Sequence, residues 1–312
     1  MTRTEALTAA LKRRRSLLDT LHSEGTDCYR LLHGTVEDAP GTTIDRYGRV
    51  LLVQTWREPL QPGELEALAA CVRGEFTPVW NHRSAVRGKG RTPDYGIWHD
   101  VVLPDTLEGH EQGLVYNVHP RHRGLDPLLF VDLRAGRRHI RAHAAGKSVL
   151  NLFAYTCGVG LSAAAGGATE VWNVDFATSA LEVGQGNAAA NPSVPAVQTF
   201  VHEDCIPTMR QLAGLAPGGR RGKQPRFKRF AAKAFDIVVI DPPRWARSAF
   251  GAIDVVRDYA SLLKPSLLAT APGGHVFACN HVAAVSWDEW VESMQKCAIK
   301  AGRPIASVER IA

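Results

Sequence analysis

Phe235-Asp-Ile-Val-Val-Ile240-Asp241-Pro242-Pro243 is the stretch on which the reading of this chain turns. Apart from Asp236, its first six residues are apolar and mostly β-branched, which suits a strand buried on both faces of a parallel sheet. Two prolines then end it. They hold the next loop extended and remove two amide donors, leaving the carbonyls beyond the strand to accept hydrogen bonds. Upstream, Ser148-Val-Leu-Asn-Leu-Phe153 is a second such run, and it passes directly into Ala154-Tyr155-Thr156-Cys157-Gly158-Val159-Gly160. Glycines there allow the backbone to approach a ligand closely where a helix begins.

Outward from these two runs, strand and helix signals alternate from residue 126 to the end. Strands are expected at Val149–Phe153, Glu170–Val174, Val197–His202, Phe235–Ile240 and His275–Ala278, with a weaker sixth at Ile305–Ile311. Helices are expected at Gly160–Ala165, Thr178–Asn187, Ile206–Ala213, Ile253–Ala269 and Trp287–Ala301. The alternation predicts an α/β fold, a Rossmann-like doubly wound sheet over residues 126–312 whose ligand lies beyond the carboxyl ends of the strands. Residues 29–125 read differently, as short strands between turns: a hairpin over Thr42–Trp56 turning at Tyr47-Gly48, a helix at Gly63–Arg73, and strands near Pro78–Asn81 and Gly113–Asn117. That predicts a small β-rich α+β domain. Residues 1–28 read as a basic helix, with Leu7, Leu11, Leu17, Leu18 and Leu21 near helical spacing and Lys12-Arg13-Arg14-Arg15 among them. The cluster suits phosphate contact or a solvated helix face.

With 312 residues, the chain exceeds one typical domain. Its 45% hydrophobic and 22% charged residues exclude wholesale disorder, and a net charge of +6 suits either a solvated cationic surface or a polyanionic partner. The six cysteines (Cys28, Cys71, Cys157, Cys205, Cys279 and Cys297) form no C-x-x-C pair, and no secretory signal precedes them, so reduced thiols and a cytoplasmic location are expected. His119 and His122 have no Cys or carboxylate at metal-ligand spacing, and no metal site is expected. No apolar run is long enough for a membrane helix.

Three acids follow successive strands. Asp175 closes the second, where a carboxylate can accept from ribose hydroxyls or cap the next helix. NAD and S-adenosylmethionine both present such hydroxyls, so Asp175 does not separate them. The glycine loop leans against a dinucleotide, because the third position of G-x-G-x-x-G is Ala163. Asp204, after the third strand, can accept from an adenine amine or cap the following helix. Asp241, in Asp-Pro-Pro, has no evident use in hydride transfer.

Leu129-Phe130-Val-Asp132-Leu-Arg134-Ala-Gly-Arg137-Arg138, Asn151-Leu-Phe-Ala-Tyr155-Thr156, Val174-Asp175, Glu203-Asp204-Cys205 and Ile240-Asp-Pro-Pro243 occur here in order. With them the sequence resembles the bacterial large-subunit (23S) ribosomal RNA methyltransferases, class I enzymes that use S-adenosylmethionine. The likeness covers roughly residues 29 to 312. It includes Leu32-His33-Gly34 through Ile44-Asp45-Arg46-Tyr47-Gly48, which looks like the small domain preceding that family's catalytic domain. The resemblance implies that S-adenosylmethionine is held by Arg134, Asn151, Phe153, Tyr155, Thr156, Gly158, Asp175, Phe176, Asp204 and Cys205. It places Asp241 between donor and acceptor, and Asp241, Pro242, Pro243 and Asn280 at the acceptor base. Where that family's sheet usually ends in a further antiparallel strand, this sequence stops at Ile311-Ala312, and no separate RNA-binding domain precedes the β-rich one.

The acceptor atom follows from chemistry. A cytosine carbon is a poor nucleophile and needs a cysteine to add to the ring first, whereas guanine N7 already offers a lone pair and needs only positioning. In the cytosine-C5 branch the nucleophilic cysteine lies about two residues beyond Cys279, where this chain has His281. Phe277-Ala-Cys-Asn-His281 and Ile253-Asp-Val-Val-Arg257-Asp258-Tyr259 look more like the guanine-N7 branch, which makes Cys279 a small buried residue rather than a nucleophile. Asn280 and His281 could bond a target base or close the strand end. RNA contact is expected from Arg220, Arg221, Lys223, Arg226, Lys228 and Arg229, a basic stretch that also suits a solubilising loop, with Trp245 as a stacking surface for a flipped base. A cytosine-C5 enzyme using Cys279, a noncatalytic RNA-binding relative and a small-molecule methyltransferase remain the alternatives.

Overall fold

The computed structural model describes residues 1–83, 103–104, 107–120, 126–218, 226–248 and 250–311. It divides into two compact units, Met1–Arg134 and Ala135–Ala312.

In the first unit the order is α1 (Arg3–Arg13), α2 (Arg15–Ser23), β1 (Cys28–His33), β2 (Thr42–Tyr47), β3 (Val50–Thr55), α3 (Glu64–Cys71), β4 (Thr77–His82), β5 (Leu107–Glu111) and β6 (Leu114–Val118), then a 3-10 turn at Val131–Leu133. Strands β1 to β4 form one sheet in that order, antiparallel except for the parallel β3–β4 pair. The single basic helix expected over residues 1–28 is two helices. They part at Arg14, whose guanidinium donates to the Leu31 carbonyl and pairs with the buried carboxylate of Glu37. Thr2 and Glu5 close a capping box at the start of α1. Leu7, Leu21, Leu32, Ile44, Leu51 and Leu68 share one apolar core, so the helices are part of this unit rather than an appendage.

Helix α4 (Arg134–His143) leads into the second unit, which continues β7 (Ser148–Leu152), α5 (Gly158–Ala165), β8 (Glu170–Asp175), α6 (Thr178–Ala189), β9 (Gln198–His202), α7 (Cys205–Leu212), β10 (Phe235–Ile240), β11 (Trp245–Ser248), β12 (Gly251–Asp254), α8 (Ala260–Leu268), β13 (Thr270–Ala278) and α9 (Trp287–Lys300). Five strands make a wholly parallel sheet in the order β13-β10-β7-β8-β9. Strand order reverses at β7, so the crevice for a ligand opens where β7 meets its neighbours. Val149, Leu150, Leu152, Val238, Val239 and Ile240 are fully buried, as expected of central strands covered on both faces.

Two expectations fail in this unit. Residues 253–269 are not one helix: Ile253 and Val255 enter the core with a strand's period of two. Asp254 then turns the chain, its Oδ1 accepting from the Val256 amide and its carbonyl from the amides of Arg257 and Asp258. The sixth strand at Ile305–Ile311 does not form among the described residues, because only Ile305 packs on the core and residues 306–310 are exposed. No helix among the described residues is long and apolar enough to cross a membrane.

Candidate active site

The register of the parallel sheet sets Ala278, Ile240, Leu152, Val174 and Val201 in one row across all five strands. The residues that follow are Cys279, Asp241, Phe153, Asp175 and His202, one line along the carboxyl edge. Adjacent strands lie about 4.8 Å apart, so Asp241 and Asp175, one on each side of β7, stand about 10 Å apart along this edge.

Beyond Leu152 the chain turns through Phe153, Tyr155 and Cys157 with φ of 58°, 50° and 60°. The left-handed region costs non-glycine residues on the order of 1–3 kcal/mol each. Hydrogen bonds hold them there. The Tyr155 amide donates to Asp175 Oδ2 at 2.8 Å, the Ala154 amide to the Val174 carbonyl at 3.0 Å, and the Cys157 amide to the Ala154 carbonyl at 2.8 Å. From behind, Cys205 Sγ receives the Phe153 amide at 3.2 Å and its thiol donates to the Val174 carbonyl at 3.3 Å. Burial pushes the Cys205 thiol well up, with Asp175 adding to the effect, so it stays protonated and able to donate. Helix α5 starts at Gly158 without a side-chain cap, which leaves its first amides, the positive end of the helix, without a side-chain acceptor.

Asp175 is buried and already accepts from the amides of Tyr155 and Ala177, at 2.8 and 2.9 Å. Each carboxylate oxygen retains a second acceptor position. Phe176, beside it, exposes 66% of its surface, unusual for an aromatic ring without a partner to cover. Asp204 caps α7 through Oδ1, which accepts from the Ile206 amide at 2.8 Å, and no described residue bonds its Oδ2. An adenosine-bearing group fits this set: an acid for hydroxyls, an exposed ring for a purine face, a second acid for an amine, and uncapped amides for a carboxylate.

Two residues expected at the cofactor, Asn151 and Cys205, stand elsewhere. Asn151 is 2% exposed within β7, and its amide donates to Asn173 Oδ1 at 2.9 Å across the sheet, so it never reaches the loop. Cys205 is the buried prop described above. Thr156 is buried, and its carbonyl accepts from Asn187 Nδ2 at 3.0 Å. Arg134 is the half-buried first residue of α4. Gly160 serves packing: a Cβ there would stand 2.0 Å from Asn173 Oδ1.

On the acceptor side, no backbone amide among the described residues donates to the carbonyls of Asp241, Pro242 and Pro243. Asp241 Oδ1 accepts from His281 Nε2 at 2.5 Å. Sequence reasoning left this partnership out. The signal was present, since His281 follows the neighbouring strand as Asp241 follows β10, but only the β10–β13 register makes it a contact. Cys279 Sγ lies with these two groups, all three donor atoms within 4.8 Å of one another. Asn280 spends both ends of its amide on the strand end: Nδ2 donates to the Val255 carbonyl at 3.3 Å and Oδ1 accepts from the Val282 amide at 3.1 Å. Each end keeps a second hydrogen-bonding position, so these bonds close the strand end and leave Asn280 able to reach a base. Trp245 is 60% exposed at the start of β11. Arg226, Lys228 and Arg229 are exposed on an extended segment, whereas Arg220, Arg221 and Lys223 lie outside the described residues.

A parallel sheet with an acid after β8, a strained loop after β7 and Asp-Pro-Pro after β10 defines the class I methyltransferase fold. The family model for S-adenosylmethionine-dependent methyltransferases matches residues 29–310, and the chain belongs to that family. It is 30% identical to a ribosomal RNA large subunit methyltransferase of Deinococcus radiodurans, over 95% of this chain and 70% of that one. It is 28% identical to the ribosomal RNA large subunit methyltransferase I of Shewanella amazonensis, over 93% and 70% respectively. A methyltransferase solved with S-adenosylhomocysteine shares the fold at a TM-score of 0.75 and 24% identity, covering 94% of this chain and 71% of that chain. The protein is thus an S-adenosylmethionine-dependent enzyme.

Proposed function

We propose that this chain methylates a base of large-subunit ribosomal RNA at a ring nitrogen, guanine N7 being the favoured atom. The names of its relatives supply the substrate class. The ring nitrogen rests on one observation: the residue hydrogen-bonded to the acceptor carboxylate is His281, with Nε2 2.5 Å from Asp241 Oδ1. A lone-pair nitrogen needs alignment, and holding it in line can supply much of the acceleration.

Bound S-adenosylmethionine supplies an electrophilic methyl group on a positively charged sulfur. Around it Asp175 accepts from the ribose, Phe176 covers the purine and Asp204 accepts from its amine, while the Phe153–Gly158 turn lines the pocket. With the donor bound, the Asp241 carboxylate would face the positive charge that passes from donor to base. The open carbonyls of Asp241, Pro242 and Pro243 accept from the amine and ring N–H of the base. Arg226, Lys228 and Arg229 contact phosphates, and Arg220, Arg221 and Lys223 of the same stretch join them.

The second reading has its own observation, the Cys279 thiol within 4.8 Å of Asp241 and His281. There Cys279 would add to cytosine C6 and activate C5. One experiment separates the two: purified protein and labelled S-adenosylmethionine are incubated with ribosomal RNA, and the nucleosides are resolved by mass spectrometry, for wild type and Cys279→Ser. The first reading expects 7-methylguanosine from both proteins. 5-Methylcytidine from wild type and no product from the variant would replace it with the second. Absence of label in RNA alongside saturable donor binding would remove the RNA substrate.

A further inference from the structure

Strands β11 and β12 form a hairpin that begins two residues after Pro243, with Trp245 opposite Asp254 in the register. At its base lies a pocket of about 260 Å³ lined by Arg244, Trp245, Asp254, Val256 and Arg257. Two residues of extended chain span at most about 7 Å, so the pocket lies next to the acceptor site. Sites that enclose drug-sized ligands run to about 300–1,000 Å³, which makes this one fit a single ring system rather than a second cofactor.

Its lining has the chemistry of a nucleotide. The Trp245 indole is 60% exposed and offers a stacking face; Val256, 49% exposed, adds apolar surface. Arg244 is exposed, and the Arg257 side chain is 87% exposed, so two guanidinium groups stand ready for phosphate oxygens. Asp254 uses Oδ1 for the Val256 amide. Its Oδ2 makes a loose ion pair with the exposed Arg257 Nε at 3.8 Å, too long for a hydrogen bond, and keeps acceptor positions for a ring N–H or amine.

The hairpin is also joined to the basic segment. Phe227 packs edge-on against Phe250 at the hairpin tip, with centroids 5.3 Å apart at 87°, and Arg229 stacks over Phe227 at 4.8 Å. The Lys228 amide donates to Glu203 Oε1 at 2.9 Å, and Gln211 bonds the segment on both sides of Arg229. Arg226, Lys228 and Arg229 therefore form a fixed cationic track that ends at the hairpin.

We propose that the hairpin pocket is a subsite for the nucleotide flanking the target base: Trp245 stacks on its base, Arg244 and Arg257 hold its phosphates, and Asp254 accepts from its edge. The inference rests on the RNA reading above. Its test is fluorescence anisotropy with a labelled single-stranded oligoribonucleotide of about 12 nucleotides, within the span of known single-strand sites, together with calorimetry of S-adenosylmethionine binding. Trp245→Ala should weaken RNA binding about 5- to 150-fold, the range of one lost base stack. Trp245→Phe should recover most of it, and donor affinity should be unchanged in both. Arg244→Gln with Arg257→Gln should make the slope of log affinity against log salt shallower by about 1.4, the contribution of two single-strand phosphates. Wild-type RNA affinity and salt slope in all these variants would overturn the subsite while leaving the RNA reading intact. A wild-type protein that binds S-adenosylmethionine but no RNA would overturn both.

Discussion

Asp175→Ala separates a carboxylate that binds a donor from one that only holds a loop. The side chain is 7% exposed and accepts two backbone amides, at 2.8 Å from Tyr155 and 2.9 Å from Ala177. Hydrogen bonds to a charged group contribute about 1.5–3 kcal/mol each, so their simple sum is about 3–6 kcal/mol. Two effects reduce it. Water can reach amides at the sheet edge, and cutting the Tyr155 tether lets a loop with three left-handed residues relax, regaining part of about 1–3 kcal/mol per residue. A net loss of about 2–3 kcal/mol is expected, which lowers the midpoint of thermal unfolding by about 4–12 °C for a unit of this size. Donor affinity should fall further than stability does, by about 100-fold or more, because the acceptor for ribose and the loop geometry are lost together. Asparagine does not rescue the site, since its amino group would meet one of the two backbone N–H donors. Asp204→Ala gives the comparison: it removes one cap bond, costs about 1 kcal/mol and leaves the loop in place, so the donor affinity it loses belongs to the purine amine alone. Calorimetry with S-adenosylmethionine beside a thermal melt reads both quantities. A lowered midpoint with donor affinity within about twofold of wild type would make Asp175 purely structural and refute its assignment to the ribose.

Gly160→Ala should destabilise by about 1–3 kcal/mol in urea unfolding, because its Cβ would meet Asn173, which is fully buried and locked between Asn151 and Gln198. Phe176→Ala should leave the unfolding midpoint within about 0.5 kcal/mol of wild type, as suits an exposed side chain, while weakening S-adenosylmethionine in calorimetry; equal affinity would remove the ring from the purine site. Cys157 and Cys205 should resist a thiol reagent at pH 8 in the native protein and react after unfolding, since both are buried. Burial pushes both thiols up, so between the unfolded and folded pKa values the folded state holds the extra protons. Stability is therefore full below the unfolded thiol pKa near 9 and falls as pH rises above it, by up to about 1.4 kcal/mol per pH unit for each thiol. Cys157→Ala should make that decline shallower in denaturant unfolding followed from pH 7.5 to 10.5; an unchanged slope would contradict the assignment.

What the sequence revealed and what it hid have separate physical causes. Strands β7, β8 and β10 are mostly apolar, interrupted by Asn151, Asn173 and Asp236, and an acid or a strained turn directly after such a strand falls on the ligand edge whatever the neighbours are. Strand β1 was missed because a bulge between Arg30 and Leu32 breaks its alternation. The hairpin β11–β12 was missed because its strands are short and the alternating Ile253 and Val255 precede a genuine helix, which disguises a period of two as the start of a period of 3.6. Asn151 and Asn280 look like site residues because they lie in the right segments. Only the register of β7 against β8 shows the first bonded across the sheet, and only the turn after β13 shows the second bonded to the backbone of Val255 and Val282. The pairing of Asp241 with His281 needed the β10–β13 register in the same way.

The two halves of the edge are built on different terms, and this bears on how the enzyme recognises two unlike partners. On the donor side the groups are buried and tied down: Asp175 by two amides, the Phe153–Cys157 turn by β8 and Cys205. Phe176, 66% exposed, is the donor-side ring left to be ordered when a ligand arrives, and the buried groups around it lose little conformational entropy. On the acceptor side the groups are exposed, with His281 at 45% and Trp245 at 60%, on a hairpin and a strand end rather than within the sheet. An exposed, cationic and aromatic surface suits a large, flexible polyanion, whose affinity comes from many weak contacts and responds to salt. Asp241 joins the halves. It leaves the buried strand β10 and is held by a half-exposed histidine, so a change at His281 should alter turnover with bound RNA more than it alters affinity for the donor.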